Sequence, residues 1–257
     1  MLKCDGLDYK DTLEFYTIAG VDETCGEVPF ALSVVPSSTQ NITSQTSNIT
    51  SISAAQSAKD ICSHAQTINE LKEIVEHFEG CALKNTAAHT VIGDGNPNAK
   101  IMFIGEAPGS EEDLIGKAFV GRSGQLLDKI MKAIGLTRDT VYICNILPWR
   151  PPGNRSPSDA EIAICLPFLK QQIEIIKPNY ICTLGAIATN SLLNTGENMS
   201  NLRSHWMEYQ TVSGHVCKVL ATYHPAYLLR TPAQKSKTWG DFLRFSKAIS
   251  SNNQQPS

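Results

Sequence analysis

A glycine-rich, acidic loop between an apolar run and an amphipathic helix constrains the fold of this chain more than any other feature. Residues 105–127 read GEAPGSEEDLIGKAFVGRSGQLL and follow the apolar run 100–104, which predicts a buried strand. Apolar side chains recur at helical spacing after Ser123, so the loop joins a strand to a helix. Loops in this position hold the ligands of α/β folds. The loop is not a phosphate-binding P-loop, because Glu111 and Ala118 occupy positions where that motif needs Gly and Ser or Thr.

Strand and helix patterns alternate along the body of the chain. Four strands are predicted, at residues 100–104, 141–147, 180–184 and 216–222. Amphipathic segments lie between them, and one such helix opens at a capping box formed by Ser158 and Glu161. This order predicts an α/β fold, a three-layer α/β/α sandwich around a central, mostly parallel four-stranded sheet. Loops after successive parallel strands converge on one edge, which would bring together residues 106–119, 145–155 and 224–230.

The amino-terminal part of the chain differs in composition from this body. Residues 33–57 contain 12 Ser or Thr among 25 residues and no charged side chain, so we expect a flexible linker there. The linker would separate an acidic helical arm, residues 1–32, from a folded body at residues 58–250, and residues 251–257 would form a disordered tail. The arm is a candidate docking element for a protein partner.

Charge is distributed unevenly between the two ends of the chain. Residues 1–60 carry 3 Lys or Arg against 8 Asp or Glu, whereas residues 200–257 carry 7 against 2. A basic carboxyl-terminal end fits a face that binds a polyanion. On charge alone, an ordinary solvated surface fits equally well.

Hydropathy and cysteine spacing narrow the class of protein further. No run approaches 18 uninterrupted apolar residues, and the first residues lack the apolar segment of a secretion signal. We therefore expect no membrane association and a cytoplasmic location. The eight cysteines are expected to be reduced thiols, and none forms a C-x-x-C pair, the strongest metal-binding signature.

Three motifs point to one family. They are GEAPG followed by ED and FVGRSGQLL, then ICN followed by RPPGNRSP, then HPAYLLR, in this order between residues 81 and 245. Together they make the chain resemble the family 4 uracil-DNA glycosylases. The resemblance implies a monofunctional glycosylase that flips uracil out of DNA, hydrolyses its N-glycosidic bond and leaves an abasic site for base excision repair. Uracil-containing DNA is then the expected partner, and we expect a monomer.

The resemblance also implies which residues form the uracil pocket. Phe119 falls on the family's stacking phenylalanine, Asn145 on its base-reading asparagine and His224 on its histidine close to uracil O2. An aromatic face replaces the lost base stacking, at about 1–3 kcal/mol per base. A side-chain amide can donate to uracil O4 and accept from N3–H, whereas cytosine presents the opposite pattern and leaves both contacts unmade.

The catalytic carboxylates are implied by the same resemblance. Glu106 and Glu112 fall on motif-one carboxylates that shape the pocket and position water, and with His224 they are the predicted catalytic residues. Ala107 belongs to the predicted uracil pocket, at a position where some related glycosylases place an aspartate as general base. This chain must therefore use Glu106, Glu112, a backbone carbonyl group or electrostatics alone to activate water.

Each pocket residue also has an ordinary structural explanation. Phe119 can fill the core, Asn145 can cap a turn, and His224 can be a structural histidine satisfied by its neighbours. Only their meeting in a single cavity favours the functional interpretation.

Basic and apolar residues near the motifs are candidates for contact with DNA. Leu228 or Leu229 is the candidate wedge that fills the space left by a flipped nucleotide. The candidates for phosphate contact are Arg150, Arg155, Arg230, Lys235 and Lys237.

The chain departs from the family at a metal site. Family 4 members usually hold a four-iron cluster with four cysteines, whose positions here are Phe78, Cys81, Trp149 and Cys165. Because two of these residues cannot bind iron, we expect no iron–sulfur cluster and no other cofactor, with the two aromatic side chains filling the space. Rescue of a metal site by Cys62 or Cys144 is the alternative.

Two other functions compete with uracil excision. A glycosylase of the same fold can act on another deaminated base, although the amide of Asn145 matches the O4 and N3–H edge of uracil. A non-catalytic DNA-binding or polymerase-associated module is a different class, but such a protein has no need of Phe119, Asn145 and His224 together.

Overall fold

The computed structural model of this protein describes residues 44–203 and 205–252. Its centre is a six-stranded sheet in the order β1-β3-β2-β4-β6-β5. The strands are β1 (Gly93–Gly95), β2 (Ile101–Gly105), β3 (Tyr142–Asn145), β4 (Tyr180–Leu184), β5 (Met207–Gln210) and β6 (Val216–Thr222).

The four inner strands of the sheet are the four that the sequence predicts. β2 pairs in parallel with β3 and β4, and β4 pairs in parallel with β6. The predicted number of strands is corrected from four to six, because β1 and β5 add antiparallel edges to β3 and β6. Both were missed because short edge strands need little apolar sequence: β1 reads GDG, and β5 reads MEYQ.

Nine helices surround the sheet within the described residues. They are α1 (Ser44–Cys62), α2 (Ile68–His77), α3 (Ser110–Ile115), α4 (Arg122–Ala133), α5 (Asp159–Ile176), α6 (Ala186–Leu193), α7 (Met199–Leu202), α8 (Pro225–Arg230) and α9 (Lys235–Asn252). Short 3-10 helices lie at Ala82–Asn85, Pro152–Asn154 and Pro232–Gln234. The predicted capping box at the start of α5 is present, with Ser158 accepting from Glu161 and Glu161 accepting from Ser158.

Helices cover both faces of the sheet, so the predicted three-layer α/β/α sandwich is confirmed. Alternate residues of β2 point to opposite cores, as the pleat requires. Met102 and Ile104 pack with buried residues of α1, α2, α5 and α6, whereas Phe103 packs with buried residues of α4, α8 and α9. None of the helices in the described part of the chain is long and apolar enough to cross a membrane.

Helix α1 contradicts part of the predicted linker. The helix begins at Ser44, so the flexible linker predicted for residues 33–57 is wrong from that residue onward. Ala58 and Cys62 are buried, and the Cys62 thiol lies 3.6 Å from the Pro167 carbonyl oxygen of α5. Packing of this kind stabilises a helix that its Ser/Thr-rich composition would not support alone. The rest of the linker, the arm at residues 1–32 and residues 253–257 lie outside the described residues, and α9 extends two residues past the predicted boundary at 250.

The parallel strands end where the predicted functional loops begin. Gly105, the last residue of β2, lies opposite Asn145, the last residue of β3. β6 ends at Thr222, two residues before His224. The carboxyl edge of the sheet therefore positions all three motifs.

Candidate active site

A cavity of about 390 Å³ opens at the carboxyl edge of the parallel strands. Phe119, Asn145 and His224, which are far apart in the chain, all line it, together with Glu106 and Ala107. Glu112 lines the cavity as well, so the structure brings together all six residues predicted to contact uracil or to surround the reacting bond.

Asn145 supplies a buried polar atom that has no partner in the described structure. The residue is 3% exposed, and its Oδ1 makes no hydrogen bond to any described group. Buried polar atoms are rarely left unpaired, so each such atom calls for an explanation, such as a missing ligand. Gly105 leaves space for this atom, because a Cβ at Gly105 would lie 2.4 Å from Oδ1 and 2.5 Å from Cζ of Phe119.

Phe119 has a strained backbone that aims its ring into the cavity. Its φ is 54°, in the left-handed region that costs a residue with a side chain about 1–3 kcal/mol. The ring is 4% exposed, and its centroid lies 5.7 Å from that of His224. Gly124 permits this conformation, because a Cβ there would lie 1.8 Å from the carbonyl oxygen of Phe119.

His224 is fixed as a neutral hydrogen-bond donor. It caps the amino end of α8, and its Nδ1 accepts a 3.1 Å hydrogen bond from the backbone N–H of Ala226. Burial, assisted by the charge of Arg230, lowers the pKa of His224 to about 4. The imidazole is therefore neutral near pH 7, and because Nδ1 accepts, the proton is on Nε2.

Glu106 lines the cavity without an internal hydrogen-bond partner. Within the described residues its carboxylate makes no hydrogen bond or close ion pair, and Arg230 lies on the same cavity wall. Burial raises the pKa of Glu106, and the charge of Arg230 partly opposes this increase. A desolvated carboxylate with free oxygen atoms is suited to hold a water molecule.

Glu112 differs from Glu106 because both of its oxygen atoms already accept backbone hydrogen bonds. Oε2 accepts from the N–H of Gly109 at 3.1 Å, and Oε1 accepts from the N–H of Gly121 at 2.8 Å. The carboxylate thereby ties the start of α3 to the residue before α4, only two residues beyond Phe119. These contacts favour a positioning role over the catalytic role predicted from the sequence.

The basic residues predicted to contact phosphate are of three kinds: some are exposed, some are bound to a neighbouring side chain, and one is buried. Arg230 and Lys237 are exposed, and Arg230 also borders the cavity. Arg155 forms a two-point ion pair with Glu161, at 2.6 and 2.9 Å. Arg150 donates to Asn154 at 2.7 Å. Lys235, at the start of α9, is only 5% exposed, which disfavours its predicted contact with DNA phosphate.

The two neighbouring leucines that are candidates for the wedge differ in burial. Leu228 is fully buried in the core beneath α8, which makes it unavailable to fill a gap in DNA. Leu229 is 38% exposed, beside the exposed Arg230. Only Leu229 is placed to contact a ligand outside the protein.

Several cavity residues were not predicted from the sequence. Ser123, Asn154 and Tyr227 line the cavity, and the Tyr227 ring packs 5.1 Å from that of Tyr223. All three lie within or beside the three motifs, so their position in the sequence could have marked them as candidates. Which of several polar residues in a loop faces inward depends on the folded backbone.

A family model described as the uracil DNA glycosylase superfamily matches residues 92–243. A type-4 uracil-DNA glycosylase of Thermotoga maritima is 42% identical over 168 residues, which cover 64% of this chain and 86% of the relative. A protein of the same name from Saccharolobus solfataricus is 40% identical over 182 residues, which cover 69% and 84%. One from Archaeoglobus fulgidus is 37% identical over 183 residues, which cover 70% and 92%.

These comparisons contradict the expectation that the chain has no cofactor. The relatives are named as type-4 enzymes, the family whose members usually hold a four-iron cluster, so the expectation of no cluster is corrected on this ground. The side chains as placed do not fit a cluster held by four thiolates. Cys81 and Cys165 lie with their sulfur atoms 4.0 Å apart, whereas the rings of Phe78 and Trp149 stack 6.5 Å apart at the other two positions. The described residues include no group of three or more His, Cys, Asp or Glu placed to hold a metal ion.

Proposed function

The chain belongs to the uracil-DNA glycosylase superfamily, and on this premise we propose that its cavity receives a uracil flipped out of DNA and catalyses hydrolysis of the N-glycosidic bond. The chain is a uracil-DNA glycosylase, a hydrolase of N-glycosyl bonds that acts in DNA repair. The single observation that supports the residue-level account is the unpaired, buried Oδ1 of Asn145, a residue that lines the cavity.

Recognition of the base is assigned to Asn145 and Phe119. The free Oδ1 of Asn145 accepts from N3–H of uracil, and its amide N–H donates to O4. Cytosine offers an acceptor at N3 and a donor at position 4, so both groups would remain unsatisfied against the same amide, which a buried site rejects strongly. The ring of Phe119 supplies the stacking surface that the base loses on leaving the duplex.

Departure of the base is assigned to His224. As the bond from N1 of uracil to C1′ breaks, its electrons move onto the base and negative charge develops at O2. The Nε2–H of the neutral imidazole can donate to that oxygen, because the hydrogen bond from Ala226 fixes the ring in this tautomer. A preorganised donor of this kind lowers the barrier by about 2.7–4 kcal/mol.

Attack by water is assigned to Glu106. Its oxygen atoms face the cavity without internal partners, so they can accept a hydrogen bond from water and stabilise the positive charge that develops on the sugar. Glu112 instead holds the loop that carries these groups, through Gly109 and Gly121.

The exposed groups around the cavity define how DNA would lie on the protein. We assign phosphate contacts to Arg230 and Lys237, with weaker contributions from Arg150 and Arg155, because the first two are exposed and form no ion pair with another described residue. Leu229 is the proposed wedge. A monomeric enzyme acting in the cytoplasm, with a protein partner at residues 1–32, remains a prediction from the sequence.

An abasic-site assay tests the function and its alternatives together. Oligonucleotides carry uracil opposite G, uracil opposite A, unpaired uracil, or cytosine, hypoxanthine or xanthine at the same position. We expect alkali-labile abasic sites from the uracil substrates and none from cytosine. Cleavage of the purine substrates alone would assign the site to another deaminated base. Binding to all substrates without any abasic product would contradict an enzymatic function.

A further inference from the structure

The strained backbone of Phe119 needs a group that holds it in place. Arg138, in the turn between α4 and β3, lies behind the cavity and does not line it. Its Nη1 donates a 3.0 Å hydrogen bond to the carbonyl oxygen of Ala118, and its Nη2 donates to the carbonyl oxygen of Phe119. One guanidinium therefore binds the two consecutive carbonyl groups at the point where the chain adopts its left-handed turn.

Two carboxylates fix the orientation of this guanidinium. Asp94 accepts from Nη1 at 2.6 Å, and Asp128 accepts from Nε at 2.9 Å. Asp94 lies on β1 and Asp128 on α4, so the edge strand and the helix hold Arg138 from two sides. The turn is anchored as well, because Asn96 donates to the carbonyl oxygen of Asp139 at 3.1 Å.

We propose that Arg138 is a positioning residue for uracil binding, because it holds the carbonyl groups of Ala118 and Phe119 so that the ring of Phe119 lies where the flipped base stacks. The inference rests on the proposed function of the cavity. Arg138 does not contact the substrate in this account, and it acts only through Phe119. The short strand β1, whose sequence gives no strand signal, acquires a role as the support of Asp94.

Arginine is the side chain that these contacts require. Its planar fork presents several N–H donors in fixed directions, whereas lysine offers a compact ammonium group on a flexible stem. Lysine at position 138 can retain a charge beside Asp94 and Asp128 but cannot bind both carbonyl groups in the same plane. The left-handed conformation of Phe119 would then lose one of its restraints, leaving Gly124 and the Glu112–Gly121 hydrogen bond.

A double-mutant cycle tests whether Arg138 acts through Phe119. Wild type, Arg138→Lys, Phe119→Ala and the double variant are compared for single-turnover uracil excision and for inhibition by free uracil. We expect Arg138→Lys to lower the excision rate and the uracil affinity by about ten-fold, the scale of one hydrogen bond from a charged group. In the Phe119→Ala background the same substitution should change either quantity by less than about two-fold, because no ring remains to be positioned.

Arg203→Lys is the matched control. Arg203 also forms an ion pair with a carboxylate, Asp241 at 2.6 Å, which is more buried than the pairs of Arg138, and it has no contact with residues 118–119 among the described residues. Any loss of activity caused by Arg203→Lys should therefore persist in the Phe119→Ala background. Thermal unfolding of every variant separates loss of fold from loss of positioning.

Different outcomes would refute the positioning role of Arg138 and the proposed function on which it rests. Wild type that excises no uracil would refute the proposed function. Normal wild-type activity with an equal loss from Arg138→Lys in both backgrounds, or with no loss in either, would refute the positioning role. If Arg138→Lys does not fold, Asp94→Asn takes its place in the cycle, because it leaves the arginine present but removes one carboxylate that orients it.

Discussion

Asn145 and Trp149 are four residues apart, yet they belong to buried regions of opposite kind. Trp149 lies in the aromatic–thiol cluster, defined as Phe78, Cys81, Trp149, Cys165 and Phe168, where its ring stacks on Phe78 and its Nε1 donates to Thr90 at 3.0 Å. Asn145 lies in the cavity, where its Oδ1 is buried and has no partner among the described residues. A region that satisfies its own polar groups stabilises the fold, and a region that leaves one unsatisfied is prepared for a ligand.

The comparison predicts the largest loss of stability at the aromatic–thiol cluster. Trp149→Ala removes a side chain that is 1% exposed, and it should lower the free energy of unfolding by about 3–5 kcal/mol, the usual cost of removing a large buried aromatic group. Urea unfolding measures the change. The folded fraction at low temperature should still excise uracil, and a stable but inactive variant would break the contrast between the two regions.

A substitution in the cavity should lower the excision rate more than the stability of the protein. His224→Ala removes the donor to uracil O2, and we expect it to reduce the single-turnover rate by about 100–1,000-fold, equivalent to about 2.7–4 kcal/mol in the transition state. The free energy of unfolding should fall by only about 0.5–2 kcal/mol, the cost of losing the N-cap hydrogen bond from Ala226. A large fall in stability with a small fall in rate would show that His224 is a structural residue.

The pH dependence of the excision rate distinguishes the roles of Glu106 and His224 in the cavity. Burial raises the pKa of Glu106, so its reactive carboxylate form is lost as the pH falls, at a pH above the ordinary titration of glutamate. The neutral form of His224 persists to a lower pH, because its pKa is about 4. Wild type should therefore show a flat rate near neutrality and an acid-side fall that reports Glu106.

Glu106→Gln is the control for that profile. The variant should be slower at every pH, and the acid-side fall that remains should move to about pH 4, where His224 becomes charged. Circular dichroism at each pH confirms that the protein is folded. An unchanged profile in Glu106→Gln would mean that another group activates the water.

Helix α8 also contains one residue with a proposed function and one that stabilises the fold. Leu229→Ala should leave stability within about 0.5 kcal/mol of wild type, because the side chain is partly exposed. It should slow excision several-fold from duplex DNA but not from single strands, which need no wedge to keep the base flipped. The matched variant Leu228→Ala should instead cost about 2–5 kcal/mol of stability. Equal slowing on both kinds of DNA would remove Leu229 as the wedge.

The sequence predicts those parts of the fold that depend on apolar pattern. β2, β3 and β4 are buried on both faces, as are the last four residues of β6, so each reads as a short, mainly apolar run, and together they fix the parallel sheet and its functional edge. β1 consists of Gly, Asp and Gly and has no such pattern. The composition of residues 33–57 predicts a flexible linker, although α1 begins at Ser44 and packs on α5 through Cys62.

The sequence predicts which residues form the candidate site but not how the fold holds them. The motifs identify Phe119, Asn145 and His224, and the parallel sheet explains why they meet. The left-handed backbone of Phe119 and the engagement of Glu112 by backbone N–H groups depend on contacts between loops, which no local pattern encodes. The burial of Lys235 and Leu228 likewise follows from how α8 and the start of α9 pack on the sheet.

The central claim is that Asn145 reads uracil in the cavity and is not part of a surface that only binds DNA. The most direct measurement compares Asn145→Ala with wild type for single-turnover excision of uracil and for the dissociation constant of the same DNA. Loss of two buried hydrogen bonds to the base should reduce the excision rate by at least about 100-fold, with DNA affinity within about two-fold of wild type. An equal loss of affinity and rate would contradict the account.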